Sequence, residues 1–163
     1  MPSVVDPLVA PVPTEETASG CFETMRAYGG RIFRLDQHLD RLDGSAQFLG
    51  LKPAMDRATI RKELVRALAA SGLREAVVRV ALLPSRKHGF ATSVMPSLVV
   101  VPVQPPSAAA FRHGIAVAVV PTRKFPVGVI DPQTKYSARM ASVMAVQDAQ
   151  LRGVEEALFM DAL

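Results

Sequence analysis

Apolar and polar positions along the chain change period several times, and each change marks an element. Over residues 21–28 the chain alternates. Cys21, Glu23 and Met25 fall on one side, and Phe22, Thr24 and Arg26 on the other, the two-residue period of a strand. Gly29-Gly30 separates this run from Arg31-Ile32-Phe33, which predicts a hairpin of two short strands. The period then lengthens. Leu35, Leu39, Leu42, Ala46 and Leu49 recur three or four apart, so residues 35–49 read as a helix with one apolar face, favoured at its start by Asp36 and stopped by Gly50. Residues 53–71 repeat the pattern through Ile60, Leu64 and Leu68, and Gly72 ends it.

Strand-like runs dominate the middle of the chain. Residues 76–83 are apolar apart from Arg79, residues 97–103 are valine-rich, and a loop containing 85–89 joins them. Residues 104–110, with Pro105-Pro106 and three alanines, read as a linker. Residues 114–121 form another apolar strand, and 125–134, with Pro126, Gly128 and Pro132, a loop. A helix is predicted over 137–152, with Met140, Val143, Met144, Val146 and Leu151 on its apolar face and Gly153 as its stop. A strand opens at 157–160. The expected class is α+β. A small domain of residues 1–104 carries an antiparallel sheet and two helices, 105–113 link it onward, and 114–163 begin a larger domain. Residues 1–20 read as an irregular arm. A buried-looking strand without a following partner leads us to expect a chain truncated relative to a whole fold.

Composition narrows the picture. Apolar residues make up 49 % of the 163, enough for a real core. No apolar run reaches the ~18 residues of a membrane span, and the first 13 residues lack the basic and apolar blocks of a signal peptide. One cysteine, Cys21, cannot form an internal disulfide, so a cytoplasmic setting is expected. The formal net charge is +4, but the basic residues are scattered singly among acids, without a stripe of bases and aromatics. Nucleic acid is therefore not an expected partner, and neither a membrane nor a metal ion is expected.

Four places stand out chemically. Lys135 follows a Pro- and Gly-containing loop and is expected to open the last helix, where the dipole opposes a cation. That field, with burial, would favour the neutral amine that attacks an aldehyde; an exposed surface lysine is the plain alternative. His38 and Arg41 lie three apart beside the apolar stripe of the first helix. There a guanidinium can turn inward and grip a phosphate, or pair outward with Asp40 or Asp43. Arg79 sits in an apolar strand and must face either solvent or an anion. Phe22 reads as plain core or a substrate contact.

These residues form a pattern. The run Gly20-Cys21-Phe22-Glu23-Thr24-Met25-Arg26 and the later His38-Leu39-Asp40-Arg41-Leu42 resemble the "G-x-F-E-T-x-R" strand and "H-x-x-R-L" helix of class IV aminotransferases, also called fold-type IV. Lys135, a helix, and Gly153-Val154-Glu155-Glu156-Ala157-Leu158-Phe159-Met160-Asp161 are similar to that family's cofactor lysine and its "D-E-A-L-x-x-D" strand. The resemblance covers residues 20–163. It implies pyridoxal 5'-phosphate as cofactor, with Lys135 forming the internal aldimine and moving the proton at the substrate α-carbon. It implies Arg41 on the cofactor phosphate, Phe22 lining the substrate pocket, and Arg79 on the substrate carboxylate. The expected reaction moves an amino group from an amino acid to a 2-oxo acid, in a homodimer with its site near the interface.

The departures matter as well. After the lysine the chain reads Tyr136-Ser137-Ala138-Arg139-Met140, and Arg139 is similar to an arginine of aminodeoxychorismate lyases. Substrate contact by Arg139 and elimination chemistry therefore stay open, as does a non-catalytic module that keeps only the fold. The "D-R-G-x-x-Y-G-D" pattern expected upstream of Gly20 is absent. The resemblance also implies a later glutamate for the pyridine nitrogen and later phosphate-binding turns. Without them, this chain alone is expected to bind cofactor weakly and turn over little.

Overall fold

The computed structural model describes residues 20–84, 93–103, 105–123, 130, 131 and 133–160. The arm over residues 1–19, the loop at 85–89, most of the loop at 125–134, and Asp161 lie outside the described residues. The chain divides into two compact units. One runs to Val103 and includes Lys135–Ala138; the other holds Gln104–Thr134 and Arg139–Leu163.

The first unit contains β1 (Cys21–Tyr28), β2 (Arg31–Ile32), α1 (Leu35–Phe48), α2 (Arg57–Ser71), β3 (Ala76–Leu82) and β4 (Pro96–Pro102). The sheet runs β2-β1-β3-β4, with every neighbouring pair antiparallel. Its hairpin turns on Gly29 and Gly30, both at positive φ (58° and 81°), the geometry a tight two-residue connection requires. The pleat then sorts the side chains. Cys21, Met25 and Ala27 of β1 share a buried face with Ala76, Val78, Val80 and Leu82 of β3. Against that face pack Leu35, Leu39, Leu42 and Ala46 of α1 and Ile60, Leu64 and Leu68 of α2, the residues that the helical period selects. Each buried leucine or isoleucine contributes about 1.5–3 kcal/mol by leaving water.

Boundaries differ from the sequence reading in places where a cap or a distant bond decides. The second helix begins at Arg57, not residue 53, because the Asp56 carboxylate accepts the Thr59 N–H at 2.7 Å and caps it. Pro53 instead bridges Val94. The helix before Gly153 begins at Met140, not residue 137, since Tyr136 bridges Cys21 and Ser137 bonds to Gly20 at the start of β1.

The second unit contains α3 (Ala108–His113), β5 (Val117–Arg123), α4 (Met140–Leu151) and β6 (Glu156–Met160). The stretch expected as a linker thus contains a short helix, started by the Ser107 hydroxyl accepting the Ala110 N–H at 3.1 Å. β5 and β6 pair in parallel. α4 buries Ala145 and Ala149 and leaves Met140, Val143, Met144 and Leu151 exposed. No helix among the described residues is long and apolar enough to cross a membrane.

Candidate functional site

β1 splits its motif between two sides. Successive side chains of a strand point oppositely, so Phe22 and Glu23, adjacent in sequence, serve different faces. Glu23 joins Cys21, Met25 and Ala27 on the side that α1 covers, while Phe22 joins Thr24 and Arg26 on the other. Burial, with the nearby Glu23 and Asp43 carboxylates, pushes the Cys21 thiol up to about 12. Cys21 therefore stays protonated at neutral pH and acts as a packing residue.

Lys135 is bound to the start of β1 through its backbone. Cys21 and Tyr136 form an antiparallel bridge. The Phe22 N–H donates to the Lys135 carbonyl at 3.0 Å, and the Ser137 N–H to the Gly20 carbonyl at 2.7 Å. The Lys135 N–H in turn donates to the Ser45 hydroxyl of α1 at 3.0 Å. Gly20 is required here, since a Cβ on it would lie 2.4 Å from the Leu82 carbonyl oxygen and 2.8 Å from Leu83 Cδ2. The Lys135 side chain is half-buried, and its Nζ lies 4.8 Å from the centroid of the Phe22 ring. The same ring receives the Arg79 guanidinium at 4.2 Å. Phe22 itself is only 3 % exposed.

Lys135 therefore lies in an extended segment five residues before α4. The expectation that it opens a helix, and with it the dipole argument, is corrected. What places the amine is a backbone bridge and an aromatic ring.

On the other side of β1 lies a buried acid. Glu23 is fully buried among apolar residues. Its Oε1 accepts from Arg41 Nε at 2.5 Å, and its Oε2 accepts from Arg41 Nη2 and from His38 Nδ1, each at 2.8 Å. Burial raises the Glu23 pKa, but the bonds from Arg41 and His38 outweigh it and hold the carboxyl below its ordinary range. A carboxylate only accepts, so His38 Nδ1 carries a hydrogen. The Arg41 pKa rises in turn through its bond to Glu23.

His38, Arg41 and Ser45 are spaced three and four apart, so they form one stripe on α1 beside its apolar face. Arg41 is therefore one helical turn from the hydroxyl that fixes Lys135. Its side chain is 44 % exposed, and Nη1 takes no part in the Glu23 pair. Asp40 and Asp43, the alternative partners for Arg41, are bound instead by Arg57 of α2 at 2.8 and 2.9 Å.

Arg79 pairs through its backbone with Thr24 and Val99, on the sheet face away from the helices, and is exposed. Arg139 belongs to the second unit, is exposed, and accepts the Val143 N–H at its carbonyl as α4 begins. Five of the six residues singled out from the sequence, Phe22, His38, Arg41, Arg79 and Lys135, thus lie in one unit around β1 and α1. Glu23 and Ser45 were not singled out. The alternation that puts Glu23 on the same side as Cys21 and Met25 was the available signal for the acid. For Ser45 the signal was its place four residues after Arg41.

A four-stranded antiparallel sheet with two helices on one face, and a lysine bridged to its first strand, define an α+β unit of the fold-type IV aminotransferase architecture. Residues 20–162 match the family amino-transferase class IV, and the chain belongs to that family. It is 31 % identical over 150 residues to a Methanocaldococcus jannaschii protein assigned as a branched-chain-amino-acid aminotransferase, covering 87 % of this chain and 50 % of that one. Among solved structures it is similar to the branched-chain aminotransferase of Thermoproteus uzoniensis with norvaline (TM-score 0.76, 26 % identity, 98 % of this chain and 58 % of that one). A Legionella pneumophila protein assigned as a 4-amino-4-deoxychorismate lyase shares the fold (TM-score 0.76, 17 % identity, 97 % and 60 %). The chain spans about half the length of the curated relatives it matches.

Proposed function

We propose that this chain provides the lysine and one phosphate ligand of a pyridoxal-phosphate aminotransferase acting on an amino acid and a 2-oxo acid. Class IV aminotransferases depend on pyridoxal 5'-phosphate in general. The observation that carries the reading is the Lys135 amine, half-buried against Phe22 and fixed at its backbone by β1 and α1. An amine so fixed is aimed by the fold and not by solvent.

The residues fit the cofactor's chemistry. Lys135 Nζ supplies the amine that an aldehyde needs, and Arg41 presents Nη1 beside an edge held by Glu23, suited to a phosphate. When bound, the cofactor supplies the electron sink for the charge left at the substrate α-carbon. Lys135 Nζ takes the proton from that carbon and returns it during transfer. Phe22 forms an apolar wall that excludes water from the amine, and Arg79, over the same ring, receives the substrate carboxylate. A substrate role for Arg139 and assembly as a homodimer rest on family likeness, and a cytoplasmic location rests on the single cysteine.

Elimination from 4-amino-4-deoxychorismate is the second reading, favoured by Arg139 four residues after the lysine and by the fold shared with the Legionella protein. Incubation of the chain with pyridoxal 5'-phosphate tests the cofactor claim through visible imine absorbance lost on borohydride reduction. Amino transfer to 2-oxoglutarate, against pyruvate release from aminodeoxychorismate, separates the two chemistries.

A further inference from the structure

Glu23 occupies a position where the fold asks for an apolar side chain. Its neighbours on that face of β1 are Cys21, Met25 and Ala27, all at most 1 % exposed, and Glu23 itself is fully buried. Buried ion pairs are commonly no more stabilising than apolar side chains of the same size, so stability does not explain the acid. Orientation does. Both carboxylate oxygens are used, three donors reach them, and all three come from a single face of α1.

Arg41 is a long side chain on a helix surface, 44 % exposed, and without a partner it would sample many rotamers. The Glu23 pair holds the guanidinium by Nε and Nη2, which fixes its plane and directs Nη1 away from the carboxylate. His38 closes the remaining side of Oε2 and keeps the acid from turning.

We infer that Glu23 is a positioning residue: from inside the core it holds Arg41 in the one orientation that offers Nη1 to a phosphomonoester. The inference rests on the reading of Arg41 as a phosphate ligand. It adds that phosphate selectivity is set by a residue that never touches the ligand. His38 is part of the same device and sets the tilt of the carboxylate.

The test uses the full chain and three variants, Glu23→Gln, Glu23→Met and Arg41→Lys. The order of the Arg41 Nε–H is followed by 15N relaxation, its signal assigned by its loss in Arg41→Lys. Binding of pyridoxal 5'-phosphate, pyridoxal and inorganic phosphate is measured for each protein. In the parent the Nε–H is rigid and pyridoxal 5'-phosphate binds more tightly than pyridoxal. In Glu23→Gln the Nε–H becomes mobile and that preference falls about tenfold, the effect of losing one charge-assisted contact, while pyridoxal binding is unchanged.

Glu23→Met keeps the fold by circular dichroism and shows the same loss of preference, which a merely structural role for Glu23 would not produce. A rigid Nε–H with undiminished preference in either Glu23 variant overturns the inference. So does a parent chain that shows no preference for the phosphorylated compound and no phosphate binding. A parent that binds phosphate through an ordered Arg41 but forms no imine at Lys135 strikes the cofactor reading and leaves the role of Glu23 standing.

Discussion

Phe22 and Lys135 hold each other twice: the Phe22 N–H donates to the Lys135 carbonyl at 3.0 Å, and the Lys135 Nζ lies 4.8 Å from the centroid of the Phe22 ring. The backbone contact sets where the lysine starts, and the ring sets where its amine ends. Replacing Phe22 separates the two. Phe22→Leu keeps most of the buried volume and is expected to cost less than about 1.5 kcal/mol, whereas Phe22→Ala costs about 3–5 kcal/mol. Both retain the backbone bond. Urea unfolding measures the stability change, and the yield of imine at Lys135 falls in both because the ring is gone.

Gly20 lies where β1 approaches β3 too closely for any side chain. A Cβ would meet the Leu82 carbonyl at 2.4 Å, and a backbone carbonyl cannot swing aside. Gly20→Ala is expected to destabilise by about 1–3 kcal/mol through overpacking. It also moves the Gly20 carbonyl that accepts the Ser137 N–H, so the Lys135 segment loosens. Hydrogen exchange at Ser137 is expected to accelerate more than the global stability change accounts for.

Ser45 is buried, and its hydroxyl accepts the Lys135 N–H. Ser45→Ala leaves that N–H without its acceptor and is expected to cost about 1–3 kcal/mol. Thermal unfolding reports the loss, and a Ser45→Thr variant, which keeps a hydroxyl, is expected to recover part of it.

Glu23 links stability to acid. Burial opposes its ionisation, yet Arg41 and His38 hold its folded pKa below the ordinary 4.5. The unfolded chain therefore binds this proton more readily than the folded one. The stabilisation is fully present above the ordinary glutamate value and is lost as pH falls through the lower, folded value. Glu23→Gln removes this contribution. The stability gap between parent and variant, measured by urea unfolding, is expected to narrow as pH drops below 4.5. A gap that widens on acidification would contradict the sign of the shift.

In the first unit the helices were legible because burial follows period, whereas the face expected to be buried on α4 is mostly exposed and Ala145 and Ala149 are buried instead. Leu35, Leu39 and Leu42, and likewise Ile60, Leu64 and Leu68, face the core as their spacing requires. The start of α4 was not legible. Tyr136 and Ser137 are compatible with a helix, and it is bonds to Cys21 and Gly20, far off in sequence, that keep them out of one. The site was half legible for a similar reason. Arg41 and Lys135 stood out by type and motif, but Glu23 looked like one more strand residue until the face it shares with Met25 and Ala27 was covered by α1. Arg79 is exposed, and the Phe22 ring beneath its guanidinium is a contact that no periodicity could reveal.

Covalent capture reads out the Lys135 amine itself. The chain is incubated with pyridoxal 5'-phosphate, reduced with borohydride, digested and read by mass spectrometry. A reduced phosphopyridoxyl group is expected on the peptide carrying Lys135, in clear excess over every other lysine and absent from Lys135→Ala. Labelling spread evenly over surface lysines such as Lys52 and Lys62, with Lys135 no different from them, would contradict that expectation.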